Sequence, residues 1–217
     1  MYAVGNRRHW FRAHAGVCES RPHGEGVGPQ LGLQQRHRAT RRLGRSSILS
    51  NKQIGVAAGM IAGAVATALI LTAPQGWFGG PISADLPARL AYAIHADAAA
   101  MIWLLAAIAG VARGRFFSPS DIDGSGLAPA SPRIGVGMAV VQNTLEQTVL
   151  AAVLYPALAC LADGDAIRLI PRLLTLFYIG RLTFWLGYRH GAPWRAFGFA
   201  ATFYPTLVGY AVLAKSI

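Results

Sequence analysis

Five long apolar stretches, each able to cross a lipid bilayer as an α-helix, dominate this chain. The first, residues 54–73, has twenty residues and no charged side chain. At about 1.5 Å of rise per residue, such a helix spans roughly 30 Å, the thickness of a hydrocarbon core. The other four stretches cover residues 88–112, 134–162, 167–188 and 194–213. Backbone polar groups in lipid must be hydrogen-bonded internally, so these stretches predict an all-α integral membrane helical bundle.

Composition divides the chain into two parts. The protein is 53% hydrophobic and 13% charged, about half the charged fraction of a soluble domain. Residues 1–52 differ, because they hold ten Lys and Arg against two acidic residues and show no helical or strand period. Such a composition has three functional interpretations: an arm that binds anionic lipid headgroups, a nucleic-acid-binding segment, or a transit peptide. We favour a disordered segment or a mis-assigned start for residues 1–52, and we expect no nucleic-acid partner. Residues 53–217 are predicted to form a transmembrane domain.

The cysteines and acidic residues do not suggest a metal site. Cys18 and Cys160 are too few for a disulfide framework or a cysteine cluster. Cys160 lies in an apolar stretch, and we expect it to be a small buried hydrophobic residue rather than a nucleophile. Asp121 and Asp123 lie in a loop rich in proline, glycine and serine, but the remaining ligand spacing of a calcium loop is absent.

Charges between the apolar stretches predict an orientation. The segments before the first stretch, after the second and after the fourth are positive, with Arg45, Lys52, Arg113, Arg115, Arg133, Arg189 and Arg195. The loops after the first and third stretches contain Asp85, Asp163 and Asp165. Positively charged loops remain on the cytoplasmic side of a membrane. The pattern therefore predicts a cytoplasmic N-terminus, five spans and a C-terminus outside.

The third stretch carries polar side chains inside its apolar run. They are Gln142, Asn143, Glu146 and Gln147. An ionisable group at membrane depth costs several kcal/mol, so it normally faces protein or a water-filled cavity. Asn143 and Glu146 are three residues apart and share a helix face. Two interpretations stay open: a polar clasp that holds helices together, and a functional site.

The predicted topology brings three polar clusters to one membrane face. They are Asn143 with Glu146, Arg181 with Tyr188, and Arg195. An arginine binds a carboxylate through two hydrogen bonds, and a nearby cation lowers the pKa of a thiol. A cationic pocket walled by aromatic rings would therefore suit an anionic peptide or a carboxylate substrate.

This part of the chain resembles the MAPEG family, the membrane-associated proteins in eicosanoid and glutathione metabolism. The resemblance rests on NTLEQ at residues 143–147 and on GRLTFWLGYRHGAPWRAFGF at residues 180–199. It covers about residues 88–214, which contain four of the five stretches. It implies a homotrimer of four-helix subunits that binds glutathione between neighbours. The stretch 54–73 would then be an extra N-terminal transmembrane helix beside a MAPEG-like four-helix core.

The resemblance also implies a role for each candidate residue. Asn143 and Glu146 would hold glutathione, Arg181 and Tyr188 would line its pocket, and Arg195 would stabilise the thiolate as the catalytic residue. Glutathione would be the co-substrate, without a metal, and the second substrate would be a lipophilic small molecule drawn from the bilayer.

The chain departs from the family pattern at two positions. Ala139 stands where glutathione-using members usually carry an arginine, and Phe184 stands where they often carry a tyrosine. The leading hypothesis is a glutathione-dependent transferase or peroxidase acting on lipophilic electrophiles. The alternative is a non-catalytic lipid-binding or scaffolding membrane protein that keeps its polar cluster for helix assembly.

Overall fold

The computed structural model describes residues 50–216, except 80–81, 83–84, 125–126, 128 and 163–165. The predictions for the basic segment up to residue 49, and the acidic turn at Asp163 and Asp165, fall outside these described residues. Within them, every regular element is a helix, and five helices are long and apolar enough to cross a membrane. The prediction of an all-α transmembrane bundle is confirmed.

The five long helices follow the five apolar stretches. They are α1 (Asn51–Thr72), α2 (Leu86–Phe116), α3 (Pro132–Leu161), α4 (Ile170–His190) and α5 (Ala192–Lys215). Two single 3-10 turns, Gln75–Phe78 and Ala166–Leu169, precede α2 and α4. Helix α2 runs four residues past the expected end at residue 112, because Arg113 and Arg115 form its last turn. Cations at a helix C-terminus interact favourably with the helix dipole, which supports this extension.

Side-chain caps fix where the helices begin. At α1 the Ser50 hydroxyl accepts a hydrogen bond from the Gln53 N–H, and the Gln53 side chain accepts one from the Ser50 N–H. This reciprocal pair satisfies two N–H groups that a helix start otherwise leaves unbonded. At α2 the Asp85 carboxylate accepts a hydrogen bond from the Ala88 N–H, and at α3 the Ser131 hydroxyl accepts one from the Ile134 N–H. Between α4 and α5 a single residue, Gly191, takes φ 106°, which favours glycine and lets the chain reverse at once.

Helix α1 is packed onto α5 through a ridge of glycines. A Cβ added at Gly59 would overlap the carbonyl oxygen of Pro193, and one added at Gly63 would overlap the side chain of Ala200. Only a residue without a side chain allows this approach, as in other small-residue helix contacts in membranes. Gly55 lies against Pro193 and Gly63 against Ala200, so the two helices run parallel. The extra N-terminal helix is therefore an integral part of the bundle.

The remaining helices form two antiparallel pairs, α2 with α3 and α4 with α5, which share one apolar core. Leu154, Leu158 and Phe177 are among its fully buried side chains. Cys160 was expected in this core, but it is exposed. It lies seven residues after Val153 on the outward face of α3, so its side chain points away from the bundle.

Arginines close one end of the bundle. The Nη2 atom of Arg89 donates a hydrogen bond of 2.7 Å to the Ala162 carbonyl, just past the end of α3. The Nη2 atom of Arg172 donates one of 2.8 Å to the Ala73 carbonyl, just past the end of α1. Terminal carbonyls of a helix lack intrahelical partners, so both contacts stabilise helix ends. The candidate residues lie deeper in the bundle and towards its other end.

Candidate functional site

The guanidinium of Arg181 is buried between α3, α4 and α5. Only 2% of the residue is exposed. Its Nη1 donates a hydrogen bond of 2.7 Å to Asn143 Oδ1. Its Nε and Nη2 donate to the Thr202 hydroxyl at 3.2 and 3.0 Å, and Nη2 also approaches the Gly198 carbonyl at 3.5 Å. Neutral oxygens, rather than a carboxylate, thus satisfy this cation.

Aromatic rings surround the same guanidinium. Its central carbon lies 5.0 Å from the ring centroid of Phe184 and 5.9 Å from that of Phe177. Contacts of this kind are worth about 2 kcal/mol or more when the cation is desolvated. Two glycines make room for the group, because a Cβ at Gly180 or Gly198 would overlap neighbouring backbone or the Thr202 hydroxyl. Arg181 therefore links α4 to α3 and α5 through polar contacts inside the bundle.

Arg195 and Tyr188 meet at the junction of α4 and α5. The guanidinium carbon of Arg195 lies 4.7 Å from the ring centroid of Tyr188. A Cβ at Gly187 would lie 2.6 Å from the Arg195 backbone nitrogen, so this glycine allows the two helices to approach. Within the part of the chain that the structure describes, the Arg195 side chain makes this ring contact and no hydrogen bond or ion pair. Both residues are half-buried.

Glu146 points outward from the middle of α3. It is exposed, and one of its oxygens accepts a hydrogen bond of 2.9 Å from the Gln142 side chain. Asn143 is half-buried and turns towards Arg181 instead. Asn143 and Glu146 lie about one turn apart on α3. In a single subunit, Asn143 faces the interior and Glu146 lies on the outer surface.

The two positions that depart from the family pattern differ in surroundings. Ala139 is exposed one turn before Asn143, on the outward face of α3. Phe184 is 8% exposed and packs against Val140 in a small apolar cluster at this end of the bundle. Its ring also meets Tyr188 edge to face at 5.8 Å. Phe184 thus connects the Arg181 and Arg195 contacts through aromatic packing.

The five candidate residues form two contacts and one separate position. Arg181 meets Asn143, Arg195 meets Tyr188, and Glu146 contacts neither arginine in a single chain. Sequence reasoning missed Thr202, which accepts two hydrogen bonds from Arg181. Its position contained a signal, because Thr202 follows Arg195 by seven residues and so falls on the same face of α5.

Comparison with known proteins places this architecture in a family. A sequence model described as the MAPEG family matches residues 90–215. The match contains nearly all of α2 and the whole of α3, α4 and α5, and it leaves α1 outside. No curated protein and no solved structure matches the chain. Among the described residues, no three His, Cys, Asp or Glu side chains are grouped so that they could hold a metal ion.

Proposed function

The chain belongs to the MAPEG family, and on that basis we propose that it is a glutathione-dependent transferase or peroxidase acting on lipophilic electrophiles. The bilayer supplies the second substrate. The aqueous phase beside the end of the bundle that holds Arg113, Arg133 and Arg189 supplies glutathione. The resident chemistry needs no metal, because the nucleophile is the thiolate of the peptide itself.

One observation carries this proposal: the Arg195 guanidinium lies over the Tyr188 ring and has no acidic partner among the described residues. A cation without a counter-charge attracts an anion, and it favours the thiolate over the thiol when glutathione binds beside it. The ring holds the long arginine side chain in one place, which lowers the entropy lost when the anion binds. Arg195 is the catalytic residue of this proposal.

The reaction begins when the thiol releases its proton to water and leaves a thiolate next to Arg195. In the transferase reaction, the sulfur forms a bond to an electrophilic carbon and the leaving group departs with the displaced electron pair. In the peroxidase reaction, the sulfur attacks the peroxide oxygen, and a second glutathione completes the disulfide while the peroxide becomes an alcohol and water. Both reactions need the same lowered thiol pKa.

Asn143, Glu146, Tyr188 and Arg181 have different tasks in this proposal. Tyr188 and Glu146 contact glutathione, because both are accessible. Asn143 is half-buried and contacts glutathione through the amide atoms not engaged by Arg181. Arg181 lines the pocket from beneath as a positioning residue, because its donors are engaged with Asn143, Thr202 and Gly198.

The proposed assembly is a homotrimer with a cytoplasmic N-terminus. Glu146 supports it, because a carboxylate exposed in the middle of a membrane helix is costly unless protein or water covers it. A second copy of the chain would cover this face and complete the glutathione site. The clustering of cations at one end of the bundle supports this orientation, because positively charged segments remain in the cytoplasm. These cations are Lys52, Arg113, Arg133 and Arg189.

A second candidate function is a non-catalytic member that binds lipid or serves as a scaffold. The hydrogen bonds from Arg181 to Asn143 and Thr202 favour this function, because they hold three helices together without any ligand. The exposed Ala139, which offers no cation on the face of Glu146, favours it as well.

Glutathione binding separates the two functions. The detergent-solubilised full chain is titrated with glutathione in a calorimeter, and then assayed with a chlorinated nitrobenzene and a fatty-acid hydroperoxide. Saturable binding with turnover of either electrophile is the expected result. Absence of binding at millimolar glutathione would rule out the enzyme and leave the scaffolding function.

A further inference from the structure

A groove lies at the end of the bundle opposite Arg89 and Arg172, and the glutathione chemistry does not explain it. It lies between α2, α3 and the end of α4 and has a volume of about 670 Å³. Three exposed arginines, one from each helix, line it: Arg113, Arg133 and Arg189. Its volume falls within the range of pockets that hold small molecules.

The three guanidiniums have no counter-charge in the part of the chain described by the structure. None of them donates a hydrogen bond to a side chain there or pairs with a carboxylate. An adjoining hollow, which Arg113 and Arg133 also line, contains the carboxylate of Asp121. This carboxylate already accepts hydrogen bonds from the Ser118 hydroxyl and the Ser131 N–H. The groove therefore retains a net positive charge.

The wall of the groove below the arginines is mostly apolar. It is made of small residues and two aromatic rings, among them Ala107, Gly110, Gly137, Val140 and Trp185. A Cβ at Gly137 would lie 2.9 Å from a methyl carbon of Val111, so the small residues let α2 and α3 approach closely. A ligand of this groove thus contacts arginines at one end and apolar side chains along the rest of its length.

We propose that this groove binds an anionic phospholipid, with its phosphate among Arg113, Arg133 and Arg189 and one acyl chain along the Ala and Gly wall. Both the charge and the polarity of the groove favour this ligand. Three guanidiniums suit a phosphate, which each can bind through two parallel hydrogen bonds. The apolar wall suits a chain that already lies in the bilayer. A soluble anion would use only the upper half of the groove.

Tyr188 lines both this groove and the candidate glutathione site, whereas Arg195 is not among the lining residues. The two sites are therefore neighbours with different cations. The lipid proposal does not rest on glutathione chemistry, and its test avoids Tyr188 and Arg195.

The test uses the full chain in nanodiscs that contain equal amounts of phosphatidylglycerol and phosphatidylcholine. The lipids that remain bound after transfer to detergent are counted by native mass spectrometry. Retention of phosphatidylglycerol over phosphatidylcholine is expected for the unmodified chain. In the double variant Arg133→Gln with Arg189→Gln, this preference should fall by roughly twenty-fivefold, because each cation near an anionic headgroup contributes about fivefold.

Two controls separate the groove from general attraction. Lys52→Gln removes an exposed cation at the same end of the bundle, outside the groove, and should leave the preference unchanged. Arg133→Lys with Arg189→Lys keeps the charge but loses the paired hydrogen bonds of the guanidiniums, so its preference should lie between those of the unmodified chain and of the double glutamine variant. Gel filtration of every variant checks that it remains folded and assembled.

Three results would overturn the proposal. Equal retention of the two lipids would exclude a specific anionic site. Undiminished retention by the double glutamine variant would place the lipid elsewhere. Release of bound phosphatidylglycerol by inorganic phosphate or by glutathione, each at millimolar concentration, would assign the groove to a soluble anion instead.

Discussion

Arg181 Nη1 donates a hydrogen bond of 2.7 Å to Asn143 Oδ1, and this bond joins α4 to α3 inside the bundle. The arginine has no carboxylate partner among its contacts. The asparagine carbonyl oxygen is therefore one of the groups that stabilise this buried cation. The same amide is one of the groups proposed to contact glutathione. Structure and ligand binding therefore share this side chain.

Replacing Asn143 should lower stability. In Asn143→Ala a buried N–H of Arg181 loses its acceptor, which costs about 1–3 kcal/mol. Thermal unfolding of the detergent-solubilised protein measures the change. Gln142→Ala is the matched control, because that amide is exposed and next to it in the sequence. Equal melting temperatures for the two variants would show that Arg181 finds another partner.

A side chain at Gly59 should separate α1 from α5. In Gly59→Leu the new Cβ overlaps the Pro193 carbonyl oxygen, and overpacking of this kind costs about 1–3 kcal/mol. The control is Ala58→Leu, because Ala58 is exposed on the same helix. A cysteine pair placed across α1 and α5 would crosslink in the control and not in Gly59→Leu. Crosslinking in both would contradict the close approach of the two helices.

Asp121 should make the loop between α2 and α3 sensitive to acid. Hydrogen bonds from the Ser118 hydroxyl and from the Ser131 N–H hold the pKa of this carboxyl below its usual range. The pKa is lower in the folded state, so the ionised group stabilises the fold above the ordinary value of about 3.9. That contribution disappears as the pH falls through the folded value.

The variant Asp121→Asn therefore should unfold at a lower temperature than the unmodified chain at pH near neutral. The difference should shrink as the pH falls below about 4, where the Asp121 carboxyl of the unfolded chain begins to bind protons while that of the folded chain is still ionised. Hydrogen exchange of the Ser131 amide, which donates to Asp121 at 2.8 Å, gives a local measure. A difference that does not depend on pH would mean that the shape of the side chain matters, and not its charge.

Glu146 distinguishes a ligand contact from a structural clasp. In the enzyme proposal, Glu146→Gln weakens glutathione binding by roughly tenfold or more, since a hydrogen bond to a charged group is lost. The trimer remains intact. In the scaffolding alternative, the same change dissociates the trimer. Analytical ultracentrifugation and glutathione titration are run on the same sample. Val153→Ala, on the same outward face, is the control.

The fold could be predicted because its signal is local. A run of twenty uncharged apolar residues such as 54–73 has few alternatives to a membrane helix. Gly55, Gly59 and Gly63 recur at every fourth residue, a spacing typical of close helix contacts in membranes, and the structure identifies α5 as the partner. That partner depends on three-dimensional packing, which the spacing of residues in one helix does not contain.

The candidate site was harder to predict, because the direction of each side chain depends on neighbouring helices. Asn143 and Glu146 are three residues apart, but one turns inward to Arg181 and the other outward. Sequence spacing places both near one face and cannot distinguish an interior position from a surface one sixty or so degrees away. Cys160 was wrongly expected in the core for the same reason: an apolar stretch has an outward face too.

The proposed enzyme depends on the Arg195 guanidinium, which stabilises the glutathione thiolate. The most direct measurement is the ultraviolet absorption band of the thiolate when glutathione is added to the purified protein at neutral pH. This role of Arg195 predicts a band in the unmodified chain, a weaker band in Arg195→Lys, and none in Arg195→Ala, which still binds glutathione and remains assembled. An undiminished band in Arg195→Ala, or the absence of a band in the unmodified chain with glutathione bound, would contradict it.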